Sequence, residues 1–130
     1  MTTLTAFNTN LIRFFEELLD TFPEERDIKM ALEALRGVKV INPKLILDLF
    51  YEHVYREANE MISHEDENSI IIYARTKIGQ QFNEMSAALV IFDKHWVTMS
   101  ENNRTAIWKY LKVLCVLCAK AKGLPAAKTA

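Results

Sequence analysis

Residues 99–123 read MSENNRTAIWKYLKVLCVLCAKAKG, a stretch that begins like a solvent-exposed helix and ends almost entirely apolar. Ser100 is a favoured helix N-cap, and Gly123 is a favoured residue just past a helix end. Only Lys109, Lys112 and Lys120 form a polar stripe, and Val116 interrupts it. The apolar positions at helical spacing are Ile107, Leu111, Leu114, Cys118 and Ala121, widened by Trp108, Tyr110, Cys115 and Leu117. A helix that is apolar on most sides is usually surrounded by other helices, so this segment predicts an all-α fold with the C-terminal helix at its centre.

Four further helices are predicted upstream, where apolar residues recur every three or four positions. They cover residues 8–22, residues 23–37, a third helix that starts at residue 43, and residues 69–97. The third helix ends in an acidic turn at residues 63–69. Two alternatives stay open in the fourth of these: residues 69–73 are β-branched enough for a short strand, and Gly79 could divide the segment. The sequence therefore predicts a compact bundle of about five helices, with a single helical domain at residues 1–123 and a flexible C-terminal tail at 124–130.

Composition and charge narrow the function classes. The chain has 130 residues, of which 50% are hydrophobic and 25% charged, with a formal net charge of −1. These values are typical of one soluble globular domain without an overall field that attracts nucleic acid or anionic lipid. Residues 1–10 lack the basic flank and apolar run of a secretory signal, and no segment is apolar enough to cross a bilayer. We therefore expect no membrane partner.

Cys115 and Cys118 form a Cys-x-x-Cys pair whose chemistry must be weighed against simple packing. A redox pair needs a lowered thiol pKa, usually at a helix N-terminus, whereas this pair lies in the second half of a predicted helix. A structural zinc site needs four ligands, and the chain has no second cysteine pair. We interpret both cysteines as small buried apolar residues whose thiols stay reduced inside a cell.

Other metal and cofactor motifs are weak. Glu57, Glu60 and His64 lie near the end of the third helix, but their spacing occurs once, whereas di-iron bundles use paired copies of Glu-x-x-His. We interpret them as an acidic helix end, and His53 and His95 as boundary residues beside apolar stripes. No phosphate loop or catalytic motif occurs. We expect no catalytic residue, cofactor or metal, and we predict that the protein is not an enzyme; a metal or redox enzyme is a third alternative.

The basic residues of the last helix suggest a second function. Arg104, Lys109, Lys112 and Lys120 are candidate nucleic-acid contacts, which would make the protein a nucleic-acid-associated factor. No aromatic residue is interleaved with the lysines, however, and a solvated helix face explains the same pattern.

Ala87, Val90 and Ile91 are a candidate partner surface, because they widen the apolar arc of the fourth segment beyond one stripe. If they are exposed, they form a patch for another protein or a second copy. If they are buried, they indicate only that this helix has neighbours on two sides.

A family resemblance appears in residues 92–117, FDKHWVTMSENNRTAIWKYLKVLCVL. The pattern is a tryptophan, a short serine-containing cap, and then Ile-Trp-x-Tyr-x-x-Val-Leu. Its positions here are Trp96, Ser100, Ile107, Trp108, Tyr110, Val113 and Leu114. This pattern resembles small uncharacterised all-helical proteins of the nucleocytoplasmic large DNA viruses that infect algae and protists, and the resemblance extends over residues 7–122.

The resemblance implies a viral protein found in the host-cell cytoplasm or nucleus during infection, or packaged in the virion, and it brings no known activity. The leading function is therefore a non-enzymatic protein-interaction or structural role, with a protein partner or self-association. Independently of the resemblance, Trp96 and Trp108 flank the Ser100 cap. We expect the two indoles to pack at the corner between the last two helices.

Overall fold

The computed structural model describes residues 2–80 and 84–124, and those ranges contain six helices. In chain order they are α1 (Thr3–Thr21), α2 (Arg26–Ile41), α3 (Pro43–Phe50, continued by Tyr51–Tyr55 and Arg56–Ser63), α4 (Glu67–Gln80), α5 (Ser86–Val90, continued by Ile91–His95) and α6 (Glu101–Lys122). A short 3₁₀ turn, Trp96–Thr98, joins α5 to α6. No strand occurs in the described ranges, and the predicted all-α class is confirmed.

The last helix begins and ends where its sequence predicts. The hydroxyl of Ser100 accepts a hydrogen bond from the backbone N–H of Asn103 at 3.2 Å, as an N-cap does. At the other end Gly123 has a φ of 68°, and the backbone N–H of Leu124 donates to the carbonyl of Ala119 at 2.8 Å. This pattern is a Schellman motif, which requires the left-handed conformation that glycine adopts readily. The predicted tail lies outside the described residues from position 125 onward.

Both α1 and α2 are longer than their sequence patterns predict. α1 begins at Thr3 because the hydroxyl of Thr2 accepts a hydrogen bond from the backbone N–H of Thr5 at 3.1 Å. Asn8, where the sequence pattern starts the first helix, is instead buried inside α1, and its side-chain amide donates to the carbonyl of Pro43 at 3.1 Å. α2 continues past Gly37, since a glycine in an exposed helix position costs only about 1 kcal/mol.

The predicted helix at residues 69–97 is divided in the structure. α4 ends at Gln80, Glu84 and Met85 lie in a turn, and α5 begins at Ser86. The strand alternative for residues 69–73 is wrong, because all five lie within α4. Phe82, which continues the three-four apolar spacing of the predicted helix at 69–97, falls outside the described residues.

An aromatic cluster forms the corner between α5 and α6. The rings of Trp96 and Trp108 pack edge-to-face, with centroids 5.3 Å apart and planes at 76°. Phe92 packs against both, at 4.7 Å and 5.9 Å. The expected packing of the two indoles at this corner is confirmed.

Ala87, Val90 and Ile91, the candidate partner surface, are all buried in the structure. Their helix, α5, packs against both α4 and α2, so apolar residues are needed on more than one of its sides. The structure therefore agrees with the interpretation that these apolar residues are buried because their helix has neighbours on two sides. It does not expose these residues as a patch.

We expect Trp108→Ala to lower the free energy of unfolding by roughly 3–5 kcal/mol, the range for truncating a large core aromatic. The ring is only 5% exposed and contacts both Trp96 and Phe92. Urea unfolding followed by circular dichroism measures the change. Val116→Ala is the matched control on the same helix, because the side chain of Val116 is exposed, and its effect should stay within about 0.5 kcal/mol. If the two variants were equally stable, the aromatic corner would not be a determinant of the fold.

Candidate interaction surface

The outward face of α6 carries Lys109, Val113, Val116 and Lys120. Residues three and four positions apart lie on the same side of a helix, so these four side chains form one row. Val113 and Val116 are 41% and 49% exposed, and both lysines are exposed. This row, called the α6 stripe below, therefore presents two aliphatic side chains between two cations.

A groove between α1 and α6 runs beside the α6 stripe. It has a volume of about 330 Å³ and is lined by Asn10, Glu17, Ala106, Lys109, Tyr110 and Val113. A deeper cavity of about 70 Å³ shares Glu17, Ala106 and Tyr110 with it and reaches Phe14, Phe22 and Met99. The two spaces together, called the α1–α6 groove, combine an apolar floor with a polar rim.

Tyr110 fixes the wall of this groove. Its ring centroid lies 5.2 Å from that of Phe14. Burial, and to a lesser degree the neighbouring carboxylate of Glu17, raises the pKa of the phenol. Glu17 of α1 and Lys109 of α6 both line this groove, so its rim carries one anion and one cation.

Two of the four candidate nucleic-acid contacts are used within the chain. Arg104 donates to the backbone carbonyls of Trp96 and Val97 at 2.9 Å and 2.7 Å, and Lys112 forms an ion pair with Glu65. Among the ion pairs of the described ranges, none includes Lys109 or Lys120. Of the four candidate contacts, Lys109 and Lys120 are therefore the two that form no ion pair with a described residue, and both lie on the outward face of α6.

The weak metal candidates of α3 are not assembled into a site. Glu57 forms an ion pair with Lys77 at 2.8 Å, and His64 is exposed at the end of the helix. In the part of the chain that the structure describes, the only grouping of three acidic or histidine ligands is Glu24, Glu25 and His95. The sequence pattern misses this grouping because Glu25 and His95 are 70 positions apart.

The cysteines are buried, as the sequence interpretation has it. Cys115 is 3% exposed and Cys118 fully enclosed, and both are free thiols. Burial raises the pKa of Cys115 to about 12 and that of Cys118 to about 11. A nucleophilic thiolate requires the opposite shift, so this environment does not activate either residue.

Comparison with protein-family models, with curated proteins and with solved structures found no match. Among the described helices, none is both long enough and apolar enough to cross a membrane.

We expect the native chain to react with a disulfide reagent such as dithiobis-nitrobenzoate at pH 8 at least about 100-fold more slowly than the chain unfolded in urea. The reason is that each unit of raised pKa lowers the thiolate fraction about tenfold. Absorbance of the released thiol measures the rate, and the unfolded chain is the control. Rapid labelling of one cysteine in the native chain would favour the redox alternative instead.

Proposed function

We propose that this protein is a non-enzymatic interaction or structural protein, and that it binds its partner through the α6 stripe and the adjoining α1–α6 groove. The observation that carries the proposal is the placement of exposed Val113 and Val116 between two lysines that form no ion pair with the described residues. Most other cationic side chains of the described residues, such as Arg36, Arg75 and Lys122, form ion pairs with carboxylates of the same chain.

The partner that this surface fits is an amphipathic helix of another protein that carries aliphatic and acidic residues. A helix laid into a groove contributes apolar side chains at every third or fourth position. Lys109 and Lys120 are separated by 11 residues, which is about 16 Å along a helix axis, so acidic residues about three turns apart would reach both. Complementary charges at the two ends would fix the register, and the valines would supply apolar contact.

We also infer that α6 is the central helix of the bundle. It packs against α1 and α3, and Leu114 and Cys118 are fully enclosed. The α6 stripe is the face that remains open. A bound partner helix would cover this face, which gives a physical role to a helix that is apolar on nearly all sides.

The nucleic-acid alternative draws on the same two lysines. It is disfavoured because Arg104 binds the carbonyl of Trp96 and Lys112 forms an ion pair within the chain. In addition, two exposed valines separate the remaining lysines. Two phosphate contacts would give a slope of only about −1.8 in a plot of log affinity against log salt, much less than dedicated DNA-binding proteins show.

The binding test titrates the full chain with a fluorescent synthetic helix that has leucines on one face and glutamates at their flanks. We expect saturable binding that weakens about tenfold or more, or about 1.4 kcal/mol, in Val116→Asp and in the double variant Lys109→Glu/Lys120→Glu. The matched control is Lys29→Glu/Lys39→Glu, because both lysines are exposed on α2. A second control peptide carries lysine in place of glutamate.

Two results would contradict the proposal. One is the absence of binding, or equal binding by the double variant of α6 and its α2 control. The other is salt-sensitive binding of a 20-base-pair DNA duplex that is lost in the α6 double variant while the peptide is not bound, which would support the nucleic-acid factor instead.

The viral setting is proposed on the sequence resemblance alone, which extends over residues 7–122 and is most specific in residues 92–117. We expect quantitative mass spectrometry to find this chain in cells infected by a virus that encodes it and not in uninfected cells. High copy number in purified virions would indicate a structural or packaged role, and abundance restricted to lysate would indicate an adaptor. Detection in uninfected cells would show that the resemblance misassigns the origin.

A further inference from the structure

A cluster of three potential ligands joins the start of α2 to the end of α5. One carboxylate oxygen from each of Glu24 and Glu25 and one imidazole nitrogen of His95 lie within 4.8 Å of one another. Glu25 Oε1 and His95 Nε2 lie 2.7 Å apart. From this geometry we propose that Glu24, Glu25 and His95 bind a divalent transition-metal ion, with Zn²⁺ as the best-fitting representative.

The ligand types and their number suit such an ion. Imidazole nitrogen and carboxylate oxygen are both zinc ligands, and sites with three protein ligands leave a fourth position for water or another molecule. A tetrahedral ion at about 2.0–2.1 Å from each ligand needs ligand atoms roughly 3.3 Å apart. Zn²⁺ would displace the proton that His95 Nε2 donates to Glu25, because a coordinating imidazole nitrogen must be free of its proton, and the remaining imidazole proton would lie on Nδ1. The Glu25–His95 pair would then open by about 0.6 Å, and Glu24 would close in.

Two of the ligands are held in place before any ion binds. Glu25 is only 7% exposed, and its carboxylate lies 2.7 Å from His95 Nε2. The imidazole of His95 stacks on the ring of Phe22, with centroids 4.3 Å apart and planes at 21°. His95 also ends the π-helical segment Ile91–His95, and π segments in α-helices are frequent at functional sites. A buried anionic carboxylate beside a supported imidazole is a preorganised pair of ligands.

Lys94 is the competing cation. Its ammonium lies 3.5 Å from the second oxygen of Glu25, but its side chain is mostly exposed and can move into solvent when an ion binds. The role of Glu24 separates the metal site from a simple Glu25–His95 ion pair. Glu24 is exposed, and no hydrogen bond or ion pair found in the described part of the chain involves its side chain. An ion pair does not need Glu24, whereas a three-ligand site does.

The test titrates metal-free full chain with ZnCl₂ at pH 7 in a calorimeter and, in parallel, with Co²⁺ by visible absorption. We expect one ion per chain and a thermal midpoint that rises with zinc concentration, since the ion binds only the folded chain. Glu24→Gln should weaken binding at least about tenfold while leaving the metal-free melting curve unchanged. Glu33→Gln, an exposed charge-matched change on α2, should bind zinc like the parent chain. His95→Gln should abolish the visible absorption of bound Co²⁺, because it removes the nitrogen ligand of the proposed site.

Three results would overturn the proposal: no zinc binding by the folded chain, binding that Glu24→Gln leaves unchanged, or binding that Glu33→Gln weakens equally. The outcome is independent of the peptide titration, because none of the three ligands belongs to the α6 stripe or lines the α1–α6 groove. Failure of one proposal therefore leaves the other intact.

Discussion

The packing of Trp96 against Trp108 is the contact on which the remaining architecture depends. Trp96 is the first residue of the 3₁₀ turn and Trp108 lies on α6 beyond it, so their contact sets the angle between α5 and α6. Arg104 reinforces this angle, because its guanidinium lies 5.7 Å from the Trp96 ring centroid while it binds the carbonyls of the turn. With the angle set, α6 packs on α1 and α3, and the groove forms where α6 meets α1.

Phe22 connects the two candidate sites. It lines the deep end of the α1–α6 groove and also stacks on the imidazole of His95. One aromatic ring therefore closes a cavity on one side and supports a potential metal ligand on the other. Phe22 is thus a side chain that the cavity and the potential metal site share, although none of the three ligands lines the groove.

The sequence predicts the features that depend on short-range patterns. The all-α class, both ends of α6 and the indole corner follow from periodicity, capping residues and nearby aromatics. The start of α1 was missed although Thr2 and Thr5 carry a local cap signal. The Glu25–His95 contact and the α1–α6 groove could not be predicted, because they join residues far apart in the chain through the packing of several helices. Val116, which interrupts the predicted polar stripe of lysines, is exposed in the structure and belongs to the α6 stripe.

The pairing of α1 with α6 also has a consequence for how the chain folds during synthesis. The apolar face of α1, which includes Phe7, Leu11 and Phe14, is buried partly against the helix that the ribosome makes more than eighty residues later. Contacts so distant in sequence form slowly, and apolar surface that waits for them is prone to aggregation. The part of α1 that faces α6 therefore stays uncovered in the nascent chain until α6 emerges, whereas the parts that face α2 and α3 can be covered earlier.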